Sequence, residues 1–89
     1  MALVFVKFNN YHPIEKMKIE NAKKEDTVVL IQDGIYWGLE DLKKLTEAEV
    51  VAIKEDVLAR GYKEEDISAK LVDYHGFIDI VEKHEKFIG

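Results

Sequence analysis

The sequence predicts a three-layer α/β/α fold, with a small, mostly parallel sheet covered by helices on both faces, and three observations carry that expectation. The first is the segment Thr27 to Leu39, where the apolar run Val28-Val29-Leu30-Ile31 meets Gln32-Asp33-Gly34 and then Ile35-Tyr36-Trp37-Gly38-Leu39. A short run rich in β-branched side chains and closed by Asp-Gly reads as a fully buried strand feeding directly into a helix. Secondly, further short apolar runs alternate with segments of helical spacing, in the order β-α-β-α-β-α-β-α, which implies parallel strands joined by crossover helices. Thirdly, no linker, repeat or low-complexity tract interrupts the chain, so residues 1–89 are expected to form one domain.

Each element has its own justification. Ala2 to Phe8 clusters Leu3, Val4, Phe5, Val6 and Phe8 as a buried first strand. Asn9-Asn10-Tyr11-His12-Pro13 breaks it, and Pro13 suits the first position of a helix running to about Ala22, with Ile14, Met17 and Ala22 as a loose apolar stripe. After the strand Thr27 to Gln32, the residues Ile35, Leu39 and Leu42 share one helical face. Lys43-Lys44 suits the carboxyl pole of that helix, which is expected to end by Leu45. Val50-Val51-Ala52-Ile53 reads as a third buried strand. A short helix then starts with Asp56 as N-cap and stops at Gly61, the usual left-handed terminator. Lys63 to Asp66 is an exposed turn, Leu71-Val72 a short last strand, and Phe77, Ile78, Val81 and Ile88 the stripe of a terminal helix.

Composition narrows the function classes. Eighty-nine residues give a modest core for a sheet covered on both sides, so an oligomer is the default expectation. Thirteen basic residues against eighteen acidic ones give a formal charge of −5, which does not suit unaided binding of a phosphate backbone, so direct nucleic-acid binding by the isolated chain is not expected. No apolar run approaches the roughly 20 residues of a membrane helix, and Met1-Ala2-Leu3-Val4 leads into a strand without a charged n-region. A soluble, cytoplasmic protein with no membrane association is expected. Charged residues at 35%, chiefly Lys and Glu, with no Cys, resemble thermophile composition.

Three segments together carry a family resemblance. Leu30-Ile31-Gln32-Asp33-Gly34-Ile35-Tyr36, then Ala52 to Gly61 (AIKEDVLARG), then Leu71-Val72-Asp73-Tyr74 with Gly76-Phe77-Ile78-Asp79, resemble the DsrH/TusB family of sulfur-relay proteins in order and approximate spacing. The resemblance spans Thr27 to His84, and the first 26 residues match only in their strand-helix pattern. It implies a DsrE-like, flavodoxin-like fold and assembly with DsrE/TusD-like and DsrF/TusC-like subunits. Those assemblies pass persulfide sulfur between cysteines, for 2-thiolation of the tRNA wobble uridine or in sulfur oxidation. Some DsrH-type members carry a cysteine in the first helix; counting back from Asp33 puts that position near Lys18, and here it is absent. Persulfide transfer needs a thiolate to attack and hold sulfur, so this chain is not a covalent sulfur carrier.

The remaining candidates each have a structural and a functional reading. Asp33 before Gly34 either caps the following helix or presents a carboxylate at the sheet edge, with capping favoured. The Gly34 amide stands where an anion could be held, which the charge of Asp33 opposes. Asp56 is expected as a cap beside a solvated Glu55, and Arg60, preceding Gly61, as dipole compensation or a subunit salt bridge. Tyr36 and Trp37 are adjacent and diverge on a helix, so one of them is expected to meet another subunit. His75, Asp79 and Glu82 share a helical face, but a structural role outweighs a metal site; His12 and His84 are single and expected to be exposed. Lys16, Lys18, Lys23 and Lys24 alternate with Glu15, Glu20, Glu25 and Asp26 and read as a solvated mixed-charge face. No cofactor and no catalytic residue is expected. The resulting expectation is a non-catalytic structural subunit of a sulfur-relay complex; the alternative is a stand-alone homodimeric binding or regulatory protein. An enzyme built on the Asp33 and Asp56 carboxylates is disfavoured, because no nucleophile, metal set or Gly-rich phosphate loop accompanies them.

Overall fold

The computed structural model describes residues 2–89. Its strands are β1 (Ala2–Val6), β2 (Thr27–Leu30), β3 (Glu49–Ile53), β4 (Lys70–Val72) and β5 (Lys86–Ile88), and its α-helices are α1 (Pro13–Asn21), α2 (Lys54–Ala59) and α3 (Tyr74–Lys83). The five strands form one sheet in the order β4-β3-β2-β1-β5, and each neighbouring pair is parallel. This is the three-layer α/β architecture expected of the chain.

Strand register sorts the core into two layers. Val6, Leu30, Ala52 and Leu71 stand side by side across four strands, as do Phe5, Val29 and Val51 one residue earlier, so alternation sends the two rows to opposite faces. Steps from β1 to β2, β3 and β4 run in one direction, and right-handed crossovers put all three connections on one face. There Ile19 of α1, Ile35, Trp37 and Leu42 of the middle connection and Val57 of α2 close over Val4, Val6, Val28, Leu30 and Ala52. The return from β4 to β5 runs the other way, so α3 lies on the opposite face, where Phe77, Ile80 and Val81 cover Leu3, Val29, Val51 and Ile53. One helix therefore covers a face that three connections cover on the other side.

Four expectations need correction. The helix from Ile35 to Leu45 is instead a 3-10 helix, Gln32–Leu39, broken at the extended Glu40 and followed by a second short one, Leu42–Lys44. The segment packs closely on both sides: a Cβ on Gly34 would lie 1.8 Å from the Val6 carbonyl oxygen of β1, and one on Gly38 2.6 Å from Ile67 Cγ2 in the connection before β4. A fifth strand replaces the end of the terminal helix, so Ile88 pairs with Val4 rather than continuing a helical stripe. The first strand stops at Val6, and Phe8 is exposed. Finally, α2 begins at Lys54, directly after β3, with Ile53 at the N-cap position. Asp56 therefore lies inside the first turn and caps nothing there.

Candidate functional site

The carboxyl edge of a parallel sheet is where strand ends open into loops and where such folds place their sites. Here the edge is built on the turn after β2. The Ile31 amide donates to the Val6 carbonyl at 3.0 Å and the Gly34 amide to the Ile31 carbonyl at 2.8 Å. Between them Gln32 adopts φ = 51°, a left-handed conformation that costs a non-glycine residue energy and persists only when its surroundings fix it. What fixes it is Asp56, whose Oδ2 accepts from the Gln32 amide at 2.8 Å across the two connections.

Arg60 completes the brace. Its Nε and NH2 donate to Asp33 Oδ1 at 3.1 and 3.0 Å, and its NH1 donates to the Asp56 carbonyl at 3.3 Å. The guanidinium thus ties the start of the 3-10 helix to α2. Asp33 therefore does not cap the following segment, whose N-cap position is Ile31 with no side-chain capping bond. At the C-cap of α2, Arg60 also meets the expectation of dipole compensation, since the carbonyl its NH1 engages lies in the last turn of that helix. Gly61, one residue on, has φ = 81° and no neighbouring atom near a would-be Cβ, so it is the expected left-handed terminator of α2.

The aromatic pair diverges, one ring to the core and the other to the cleft. Trp37 is buried, and its indole Nε1 donates to the Phe8 carbonyl at 3.1 Å, pinning the β1 exit loop. Tyr36 is half-buried and meets Tyr62 edge-on, with ring centroids 5.9 Å apart. Beside Tyr36, an open cleft of about 450 Å³ is lined by Asn9, Asn10, Tyr11, Asp33, Tyr36 and Leu39. This cleft offers amides, phenols and the exposed carboxylate of Asp33, and no nucleophile.

Several residues with structural work escaped the sequence reading. Glu15, assigned above to a solvated face, is buried: its Oε2 accepts from the amides of Lys7 at 2.7 Å and Phe8 at 3.1 Å, and its Oε1 lies 2.7 Å from Lys18 Nζ. Burial pushes this carboxyl up, but the Lys18 ammonium and the two amides more than offset it, so it titrates below the ordinary glutamate range. Lys18 also donates to the Phe5 carbonyl at 3.1 Å, so the position near which the resemblance places a cysteine holds a structural ion pair. Asp26 is likewise buried and held below its ordinary range by the amides of Lys23 and Ala2. Asp73 is the true side-chain cap, accepting from the Gly76 amide at 2.8 Å at the start of α3.

His75 and Asp79 are exposed on α3, and among the described residues no group of three or more His, Cys, Asp or Glu side chains is arranged to hold a metal ion. His12 stacks on Phe8 with centroids 4.8 Å apart. His84 is half-buried, contrary to expectation, because its Nδ1 bonds to the Ile80 carbonyl at 2.7 Å one turn back. No helix among the described residues is long and apolar enough to cross a membrane.

Comparison with known proteins agrees with this geometry. The family model described as "DsrH like protein" matches residues 14–87. "Protein TusB" from Yersinia pestis (strain Pestoides F) is 28% identical over 90 residues, covering 94% of this chain and 95% of that protein, and TusB from Yersinia pseudotuberculosis serotype O:1b (strain IP 31758) matches to the same extent. Two NMR structures of protein Tm0979 from Thermotoga maritima share 57% identity over the full length of both chains, with TM-scores of 0.83 and 0.74. The second of these is described as that of a candidate sulfur transferase.

Proposed function

The chain belongs to the DsrH family, and we propose that it acts there as a non-catalytic structural subunit of a cytoplasmic sulfur-relay complex. On this reading it supports 2-thiolation of the tRNA wobble uridine through cysteine-bearing DsrE/TusD-like partners, with DsrF/TusC-like subunits completing the assembly. The observation that carries the proposal is the absence of any cysteine from a chain that otherwise matches a sulfur-relay family along most of its length. Relay proceeds by thiolate attack and mixed-sulfur intermediates, and no other side chain replaces the thiolate. What remains to such a chain is to position partners, exclude water from their thiols or complete a binding surface.

The internal bracing of the carboxyl edge supports that role. Arg60, Asp33, Asp56 and Gln32 brace one another, as the parts of a docking platform should, and the exposed Asp33 carboxylate has no nucleophile or second acid-base group beside it of the kind catalysis requires. The Lys18 ammonium is held by Glu15 and Phe5 and serves the fold.

Reconstitution tests the reading. With a cysteine desulfurase, ³⁵S-labelled cysteine and a cysteine-bearing DsrE-like partner, the partner acquires covalent label and this chain acquires none. Omitting the chain lowers transfer to the acceptor, and adding it back restores the rate. Equal transfer with and without the chain overturns the relay subunit and leaves the homodimeric binding protein as the reading.

A further inference from the structure

At the amino edge of the sheet, opposite the Asp33–Arg60 brace, two lysine pairs twenty residues apart in sequence line one groove of about 580 Å³. Lys23 and Lys24 come from the turn after α1, and Lys43 and Lys44 from the short 3-10 helix before β3. All four are exposed, and among the described residues none has a carboxylate within 4.0 Å of its ammonium. The only carboxylates in the lining are Glu20 and Glu47. The two loops are also held in place. Asp26 Oδ2 accepts from the Lys23 amide at 2.9 Å, the Asp26 amide donates to the Lys23 carbonyl at 2.9 Å, and Thr46 Oγ1 donates to the Ala22 carbonyl at 3.4 Å, joining one loop to the other.

We propose that this lysine groove contacts the phosphate backbone of an RNA. Dipole compensation at the short 3-10 helix accounts for one of Lys43 and Lys44, and the Asp26 carboxylate attracts Lys23, but neither accounts for four ammonium groups without an ion-pair partner within 4.0 Å on a single groove. The net charge of −5 averages over the chain and hides this segregation, because the groove itself carries more ammonium than carboxylate. An anionic protein surface fits less well: lysine is depleted in protein interfaces, whose cores need aromatic or aliphatic anchors, and the only apolar residues here are Ala22 and the half-buried Leu45. Phosphate oxygens need only point charges, which lysines supply. Lacking an aromatic platform, the groove reads backbone and not sequence. The choice of RNA over other polyphosphates rests on the tRNA-thiolation reading above.

The test is an NMR titration of the full-length ¹⁵N-labelled chain with a short single-stranded RNA at low ionic strength, in parallel with DNA of the same sequence and with poly-glutamate. RNA is expected to shift the amides of residues 20–24 and 43–47 and to leave the Asp33–Arg60 edge unmoved. Lys23→Gln/Lys43→Gln, one lysine from each pair, is expected to weaken binding about tenfold and to flatten its dependence on salt, while the exposed Lys83→Gln has no effect. Absent or scattered shifts, equal binding by poly-glutamate, or unchanged binding by the double variant overturns the proposal. Stronger binding of DNA than of RNA overturns its choice of RNA. Loss of these shifts with relay rescue intact sinks the groove alone, and intact shifts with no relay rescue sink the relay reading alone.

Discussion

Glu15 is the residue whose burial is hardest to reconcile with composition and easiest to justify by contacts. One carboxylate satisfies the two amides at the exit of β1 and the Lys18 ammonium, so no buried charge is left unpaired. Glu15→Ala should cost about 3 kcal/mol in urea unfolding, since it strands two amides and a lysine, and Glu15→Gln somewhat less. Because the carboxyls of both Glu15 and Asp26 lie below their ordinary values of 4.5 and 3.8 in the folded chain, their contribution is complete above those values and is lost as pH falls through the folded ones. Urea midpoints measured from neutral pH downwards should therefore hold and then drop below about pH 4.5, and Glu15→Gln should flatten that drop. The Asp33–Arg60 pair works on a smaller scale, because the Asp33 side chain is 57% exposed and solvent screens it. Asp33→Ala and Arg60→Ala should each cost under about 1 kcal/mol from the lost pair, and a double-mutant cycle should return a coupling of about 0.5 kcal/mol. A coupling of zero would mean that the brace is carried by Asp56 alone.

Among elements, the 3-10 helix after β2 decides how the carboxyl edge is shaped, and it depends on one close approach. With a Cβ at Gly34 only 1.8 Å from the Val6 carbonyl oxygen, Gly34→Ala has to push the helix off β1 and should destabilise by more than about 3 kcal/mol or prevent folding. Gln32→Gly relieves the left-handed strain at φ = 51° and keeps the amide that Asp56 accepts, so the unfolding midpoint should change little or rise, by no more than about 1 kcal/mol. These two residues also mark the boundary of what sequence discloses. The β-branched run Val28 to Ile31 followed by Asp-Gly announced a buried strand leading straight into a helical segment, and Gly61 announced the end of α2, because both signals are local. Neither the 3-10 winding nor the partners of Asp33 and Asp56 could be read there, because both depend on Val6 and Arg60, which reach this turn only through the fold. The fifth strand was hidden for a similar reason: Lys86–Ile88 is three residues long, shows no period, and becomes a strand only by pairing with β1. Glu15 looked like any other charge in a mixed stretch, since its burial is dictated by amides of a loop folded over it.

At the scale of the whole molecule, coverage of the sheet sets the need for partners. Trp37 is buried within the chain, so of the two aromatics expected to diverge, the half-buried Tyr36, which rests against Tyr62 and lines an open cleft, is the one still available to another subunit. Exposed apolar surface lies elsewhere. Ile14 and Met17 of α1 and Ile88 of β5 are 68%, 57% and 47% exposed, and with Val4 and Ala22 they line a groove of about 400 Å³ beside the edge strand. A chain of this size buries only a modest share of its surface on folding, and an unpaired edge strand flanked by apolar side chains is a site where proteins associate. The purified chain should therefore sediment as a dimer or larger at micromolar concentration. Ile14→Ser/Met17→Ser should shift it towards monomer while leaving its circular dichroism unchanged, because both side chains already face solvent within one subunit. Substituting the exposed Glu64 and Glu65 by Ser should leave the assembly as it was, since solvated charges contribute little to association. A well-folded monomer at every concentration would show that the subunit tolerates this surface alone, and a dimer indifferent to Ile14 and Met17 would move the contact to another exposed apolar patch, such as Tyr74, Ile78 and Phe87 on the other face of the sheet, each about half exposed.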